Sequence, residues 1–313
     1  MPASALRHLP ELPPPPPGKR GWPWHVGAVS IPDADRDWPA ITVITPSFQQ
    51  GRFVEATLRS VLLQGYPNLQ YVVVDGGSTD GSVDVIRRYA PWLASWTSER
   101  DDGQADAIDK GLRRADGAIV GWVNSDDRLL PGALFSIARA ASRHPDAVAW
   151  AGRCRSVTPQ GSLVYLQVPR GLTRDELADW GHAGQISQPA CFFSRAAAER
   201  VGFLDPDLHY ALDVDLWLKL AAVGRFVACD EILAEETLHP DAKTRAQRGR
   251  SLAELHRVQI RNGYEQLAFR RLAEELQEYE TLKRGTLAER VKQQLSYAAQ
   301  PILDRLRKGR ARR

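Results

Sequence analysis

Cysteine is scarce in this chain, and the three present, Cys154, Cys191 and Cys229, lie far apart with no CxxC pair. Neither a zinc cluster nor a disulfide framework follows from that spacing, which fits a reducing compartment, most simply the cytoplasm. No apolar stretch approaches the ~18 residues a membrane span requires. The N-terminus also lacks the charged start and apolar core of a signal peptide. What remains is ample for an enzyme: 313 residues, 43% hydrophobic and 25% charged, suit one large globular domain or one domain with appendages.

The net charge of +3 hides an asymmetry. From Lys283 to Arg313 there are ten Lys/Arg against Glu289 and Asp304, a balance of +8, which leaves about −5 for everything before it. The body is mildly acidic and the tail basic. Along that tail Leu287, Val291, Leu295, Ala298, Ile302 and Leu306 recur at three- or four-residue spacing, with cations on the other faces. A solvated charged helix is one reading; an anionic membrane surface is another, favoured over nucleic acid because an apolar stripe accompanies the cations.

Three segments are expected. Residues 1–38 contain the run Pro13 to Pro17, which supplies no helix or ladder hydrogen bonds, and form a Pro-rich leader whose Trp22, Pro23 and Trp24 are available to pack on the body. Residues 39–245 alternate strands with helices. Ala40–Ile44, Leu69–Val74, Trp92–Ser98 and Ala118–Val123 read as strands, separated by helical patterns around Phe53–Leu62, Ser82–Tyr89 and Gln104–Arg114. That rhythm predicts a mainly parallel sheet flanked by helices. After residue 145 it changes to a hairpin, Ala147–Gly152 with Ser162–Val168, a short strand at Ala190–Phe193 and a helix over Asp213–Ala222. Residues 246–313 are charged and helical to the end.

Four constellations carry chemistry. Asn124-Ser125-Asp126-Asp127 follows a buried strand, where an open α/β sheet presents its ligand crevice. Asn, Ser and Asp also terminate strands as a matter of course, but paired carboxylates are hard oxygen donors suited to Mg²⁺ or Mn²⁺, ions that take substrate phosphates as further ligands. Asp75-Gly76-Gly77-Ser78-Thr79-Asp80-Gly81-Ser82 matches neither the dinucleotide-binding nor the P-loop glycine pattern. A carboxylate at a strand tip accepts from the N–H of a base, and glycines admit a close approach; an ordinary strand–turn–helix connection is the alternative. In Asp101–Gly111, Asp102 is expected to cap a helix carrying Gln104, Asp106 and Lys110, placed for ribose or sugar hydroxyls as well as for the helix dipole. Asp213-Val214-Asp215-Leu216-Trp217 puts Asp213 at a helix entrance, the place of a cap and also of a general base. Near a divalent ion, His239 is a potential ligand, and Lys243 a neutralising charge for a diphosphate.

Thr45-Pro46-Ser47-Phe48, Asp75 with the glycines after it, Asn124 to Asp127 with Pro131, and Asp213 to Trp217 occur in the order of glycosyltransferase family 2, which the chain resembles over about residues 40–245. The resemblance implies a GT-A nucleotide-diphospho-sugar fold and an inverting, metal-dependent sugar transferase, in cell-surface polysaccharide or glycan biosynthesis. It casts Thr45 and Pro46 as lining the nucleotide base and Asp75 as recognising it. Gln104, Asp106, Lys110, Asn124, Ser125 and Lys243 fall on the nucleotide-sugar side; Asp126, Asp127 and His239 look like the metal ligands. Asp213 resembles the catalytic base, with Gln188 and Asp215 on the acceptor side. The donor implied is a UDP-, GDP- or dTDP-sugar and the acceptor a glycan or lipid-linked hydroxyl, with the enzyme cytoplasmic or peripheral at the membrane's inner face. Two positions depart from the pattern: Asn124 replaces the first acid of DxD, and Leu212 stands where many members carry Glu. A nucleotidyltransferase acting on sugar phosphates, and a non-catalytic adaptor working through the basic tail, are the rival classes.

Overall fold

Seven consecutive buried residues, Ile41–Ser47, form β1, an interior strand of a nine-stranded sheet. The computed structural model describes residues 11–25, 37–239 and 247–284. β1 lies between β2 (Leu69–Asp75) and β4 (Ile119–Trp122), and β3 (Ser95–Ser98) flanks β2, all four parallel. Runs of β-branched residues buried on both faces are what such a sheet requires. The crossovers are α1 (Val54–Leu62), α2 (Ser82–Tyr89) and α3 (Gln104–Arg113).

Beyond β4 the sheet changes character. β8 (Cys191–Ser194) joins β4 antiparallel, and β6 (Ala147–Val157) joins β8 antiparallel. β9 (Arg225–Thr237) runs parallel to β6, and the two-residue β5 (Arg128–Leu129) closes the edge. β7 (Leu163–Gln167) pairs with β6 as the expected hairpin. The long β9 is not anticipated by the sequence pattern. α4 (Ala133–Arg143), α5 (Arg174–Ala178), α6 (Arg195–Arg200) and α7 (Leu212–Ala221) complete the body. Trp217 of α7 stacks on Trp122 of β4, centroids 5.7 Å apart, with Phe193 of β8 edge-on to both, so α7 is anchored to the middle of the sheet.

The leader residues Trp22 to Trp24 do pack on the body. Arg59 of α1, buried, donates to the carbonyls of Pro13 and Pro23 and to the Tyr89 hydroxyl, and Trp22 Nε1 donates to Leu129 O. Two helices follow the sheet, α8 (Arg248–Arg261) and α9 (Glu265–Arg284). The chain divides into two compact units after Val258, so most of α8 belongs with the sheet. The basic tail beyond residue 284 and Lys243 lie outside the described residues.

Candidate active site

The carboxyl ends of β1, β2 and β3 finish in register, Ser47 beside Asp75 and Asp75 beside Ser98. Asp75 is fully buried. Its Oδ2 accepts from the N–H groups of Gly77 and Ser78 and from Ser98 Oγ, at 3.1, 2.8 and 2.7 Å, and its Oδ1 from Ser78 Oγ at 2.6 Å. The carboxylate therefore organises the loop that carries it. That loop is laced to the one after β1 by Gln49 N–H to Ser78 Oγ and Gly51 N–H to Asp80. A Cβ at Gly76 would fall 2.7 Å from the Asp101 carboxylate, which would have to shift to admit it. Thr45, in the core, shares a hydrogen bond of 2.9 Å with the Tyr71 hydroxyl, and Pro46 is buried beside it.

After β4, Val123 N–H donates to Ile44 O and the chain turns, with Asp127 N–H on Asn124 O. Asn124 accepts from Gln104 Nε2 (2.8 Å) and reaches Asp127 Oδ2 with its own amide (3.3 Å). Ser125 and Asp127 are buried and Asp126 is more open. Asp127 Oδ1 accepts from Thr237 N–H at the end of β9, so both its oxygens are engaged by the protein. Burial, reinforced by the charges of Asp126 and Glu236, holds the Asp127 carboxyl well above the usual carboxylate range. Of the three expected metal ligands, two converge: His239 Nε2 lies 3.0 Å from Asp126 Oδ2. His239 is buried against Phe53, and its Nδ1 finds no hydrogen-bond partner among the described residues. Neighbouring ligands of an octahedral ion at about 2.1 Å sit roughly 3.0 Å apart, so this pair fits a divalent cation that draws its other ligands from water and phosphate. No cluster of three or more such side chains occurs among the described residues.

Asp102 does not cap α3. The capping position is Gly103 at φ 123°, a conformation open to glycine, and its pro-Cβ direction faces the His209 ring at 3.3 Å. Asp106 pairs with Lys110 at 2.9 Å and accepts from Asp102 N–H, while Gln104 is turned to Asn124. His209 begins a loop that leads into α7. Glu254 of α8 accepts the backbone N–H groups of His209, Tyr210 and Ala211 together. The next turn carries Asp213, half-buried, which accepts from Val214 N–H at 2.9 Å; burial pushes its carboxyl up to about 6. Asp215 differs: it is fully buried and paired with Lys219 at 2.8 Å. The two acids of this motif are thus separated by environment.

Gln188 donates to Trp122 O at 2.7 Å, which sets it at the tip of β4, and its buried Oε1 has no partner among the described residues. Beside it Glu236 gathers Ser156, Gln167 and Ser187. Sequence reasoning missed Glu254, Thr237 and Glu236. The first lies in a stretch that reads only as charged helix, and the others in the unanticipated β9.

The chain's sequence and fold have known counterparts. TuaG of Bacillus subtilis, a putative teichuronic acid biosynthesis glycosyltransferase, is 29% identical over 64% of this chain and 79% of its own length. A structure of S. aureus TarS 1-349 in complex with UDP-GlcNAc superposes with a TM-score of 0.57 at 18% identity, over 71% of this chain and 66% of that one; a longer TarS chain is matched over 39% of its length. The mannosyltransferase PcManGT from Pyrobaculum calidifontis, in complex with GDP-Man and Mn²⁺, gives 0.56 at 24% identity, over 73% and 69%. These likenesses establish the GT-A fold. The family model for glycosyl transferase family 2 matches residues 42–202, just over half the chain, and the protein belongs to that family.

Proposed function

We propose that the protein transfers a sugar, with inversion, from a nucleotide-diphospho-sugar to an acceptor hydroxyl. Asp213 carries the reading. A carboxyl at the start of a helix anchored to the sheet, with its pKa raised to about 6, is matched to accepting a proton near neutral pH. It stands at one end of a continuous path: the Glu254-clamped loop, His209 against Gly103, Gln104 on Asn124, and Asn124 next to the Asp126–His239 pair. That path ties the proton acceptor to the donor side at fixed spacing, which is how a two-substrate displacement gains its rate.

In the step itself the acceptor hydroxyl loses its proton to Asp213 while its oxygen bonds to the anomeric carbon. The bond from that carbon to the donor's phosphate oxygen breaks on the opposite face, so configuration inverts and a nucleoside diphosphate leaves. Asp126 and His239 would hold Mg²⁺ or Mn²⁺, which when bound supplies positive charge for the leaving diphosphate. The Asp75 loop, with Thr45 and Pro46 beneath it, forms the bed for the base, and Gln188 borders the acceptor. A UDP-, GDP- or dTDP-sugar as donor is supported by the nucleotide sugars named in the TarS and PcManGT complexes, and a glycan or lipid-linked acceptor by the likeness to TuaG. The test is Asp213→Asn: transfer is lost while UDP or GDP with Mn²⁺ still raises the melting temperature. A near-normal rate in that variant removes the assignment, and release of pyrophosphate in place of a nucleoside diphosphate would mark a nucleotidyltransferase.

A further inference from the structure

Glycine at position 76 leaves room that another residue fills. The Asp101 carboxylate lies where a side chain on residue 76 would project, 2.7 Å from the place of its Cβ. The loop after β2 thus carries a carboxylate borrowed from the segment between β3 and α3. Asp75, next to it, is fully buried and already holds four donors, from Gly77, Ser78 and Ser98. A carboxylate has about four acceptor positions, so those of Asp75 are committed to its own surroundings. Asp101 is placed otherwise. It is half-buried, its Oδ1 accepts from Gly103 N–H at 3.0 Å, and its Oδ2 takes no hydrogen bond from the described residues. Burial, with the charges of Asp106 and Asp75 close by, raises its carboxyl. Asp101 is therefore an acceptor short of donors, set on the bed of the base. A second group at that bed is also unmatched. The Ser47 hydroxyl, at the tip of β1 in register with Asp75, is only 3% exposed and has no partner among the described residues.

The bases differ in what they bring to such an acceptor. Uracil and thymine present one N–H flanked by two carbonyls, and the paired charges of Asp101 and Asp75 repel both. Adenine and cytosine present an amino group beside a bare ring nitrogen, which meets the same repulsion. Guanine alone presents two N–H groups side by side, on N1 and N2, matching the two oxygens of one carboxylate. Oδ1 of Asp101 keeps a second lone pair for this beside its bond to Gly103. Guanine's single carbonyl on that edge is an acceptor for a hydroxyl donor such as the one Ser47 leaves unmatched. We infer that the donor is a guanosine-diphosphate sugar and that Asp101, not Asp75, reads its base. This rests on the nucleotide-sugar reading of the site. Asp75 is then a positioning residue, which shapes the loop under the base from within.

Calorimetric titration of the full chain with GDP, UDP, dTDP and xanthosine diphosphate, each with Mn²⁺, tests both parts. The native chain binds GDP about tenfold or more tighter than UDP or dTDP, the discrimination a bidentate contact to a base supplies. Asp101→Asn keeps an oxygen for Gly103 N–H but offers the base one acceptor and one donor. Xanthine carries a carbonyl where guanine carries its amino group. The variant therefore loses about tenfold or more for GDP and gains about tenfold or more for xanthosine diphosphate. Loss of folding cannot produce that gain, and neither can a role confined to bracing the loop. Equal loss for all four nucleotides assigns Asp101 to the loop's structure and overturns the inference. UDP or dTDP binding the native chain as tightly as GDP overturns it too, and leaves the sugar-transfer reading standing. Failure of all four to bind overturns both.

Discussion

Asp213 is a carboxyl moved from 3.8 to about 6, chiefly by burial, and two consequences follow from that one shift. As a base it must be ionised, so the rate falls about tenfold per pH unit below 6 and levels above it, a limb read from kcat/KM against pH. The shift also costs stability. A group whose folded pKa is raised favours the folded state only when protonated, so the penalty is absent below pH ~4, builds between ~4 and ~6 and is complete above. Asp213→Asn therefore stabilises the fold by about 1–3 kcal/mol at pH 7.5, a gain that vanishes near pH 4, measured by urea unfolding at both values. An inactive variant that is more stable than its parent is the signature of a functional carboxyl; lower stability at pH 7.5 would contradict it. At Asp126 the expectation differs in kind. Asp126→Ala should weaken Mn²⁺-dependent donor binding by about tenfold or more, and leave the residual binding indifferent to chelators. Residue type alone pointed to both acids, but not to the saturation of their neighbours. Asp75, Asp127 and Asp215 have the same composition signal and are each consumed by buried donors or a cation. Whether a carboxylate is free or filled depends on groups 2 to 110 residues away in sequence, and no local pattern records the distant ones.

At the level of elements, the most informative contact is one that links α8 to α7. The N-terminal turn of α7 has no side-chain cap of its own, and the backbone ahead of it is fixed by the Glu254 carboxylate. Removing that acceptor leaves three N–H groups to find water and frees the loop bearing His209. Glu254→Ala should lower kcat by about ten- to a hundredfold, with little change in donor KM, because it displaces the base without touching the nucleotide side. Equal loss in KM would place the loop in donor binding instead. β1, β2 and β4 are legible in the sequence because both their faces are buried and they read as unbroken apolar runs. β9 is not: Arg225, Asp230, Glu231, Glu235 and Glu236 interrupt it, since one side meets solvent and polar partners while the other packs on the core. It is nevertheless the strand that delivers Thr237 and leads to His239; of these the sequence pointed to His239 alone, by residue type, and Thr237 went unseen.

For the molecule as a whole, the alternation of strands and helices through residue 123 announces a parallel half-sheet, and the hairpin after 145 announces its antiparallel completion. The pairing order of β4 with β8 and of β6 with β9 does not follow from that pattern, since it is decided by packing around Trp122, Trp217 and Phe193. The leader is the other feature fixed at this scale. A polyproline run with no internal hydrogen bonds offers its carbonyls to a partner, and Arg59 supplies buried donors to Pro13, Pro23 and Trp24 at 2.7, 3.1 and 3.5 Å, with its guanidinium near the Trp24 ring. Arg59 and the leader should therefore count as one interaction. In the full chain Arg59→Ala strands several carbonyls and costs about 2–4 kcal/mol. After removal of residues 1–25 the guanidinium regains water, and the same substitution should cost under about 1 kcal/mol, a coupling that a double-mutant cycle of unfolding free energies reads directly. Additive effects would mean that Arg59 stabilises α1 and α2 alone, through Tyr89, and that the leader rests on its tryptophans.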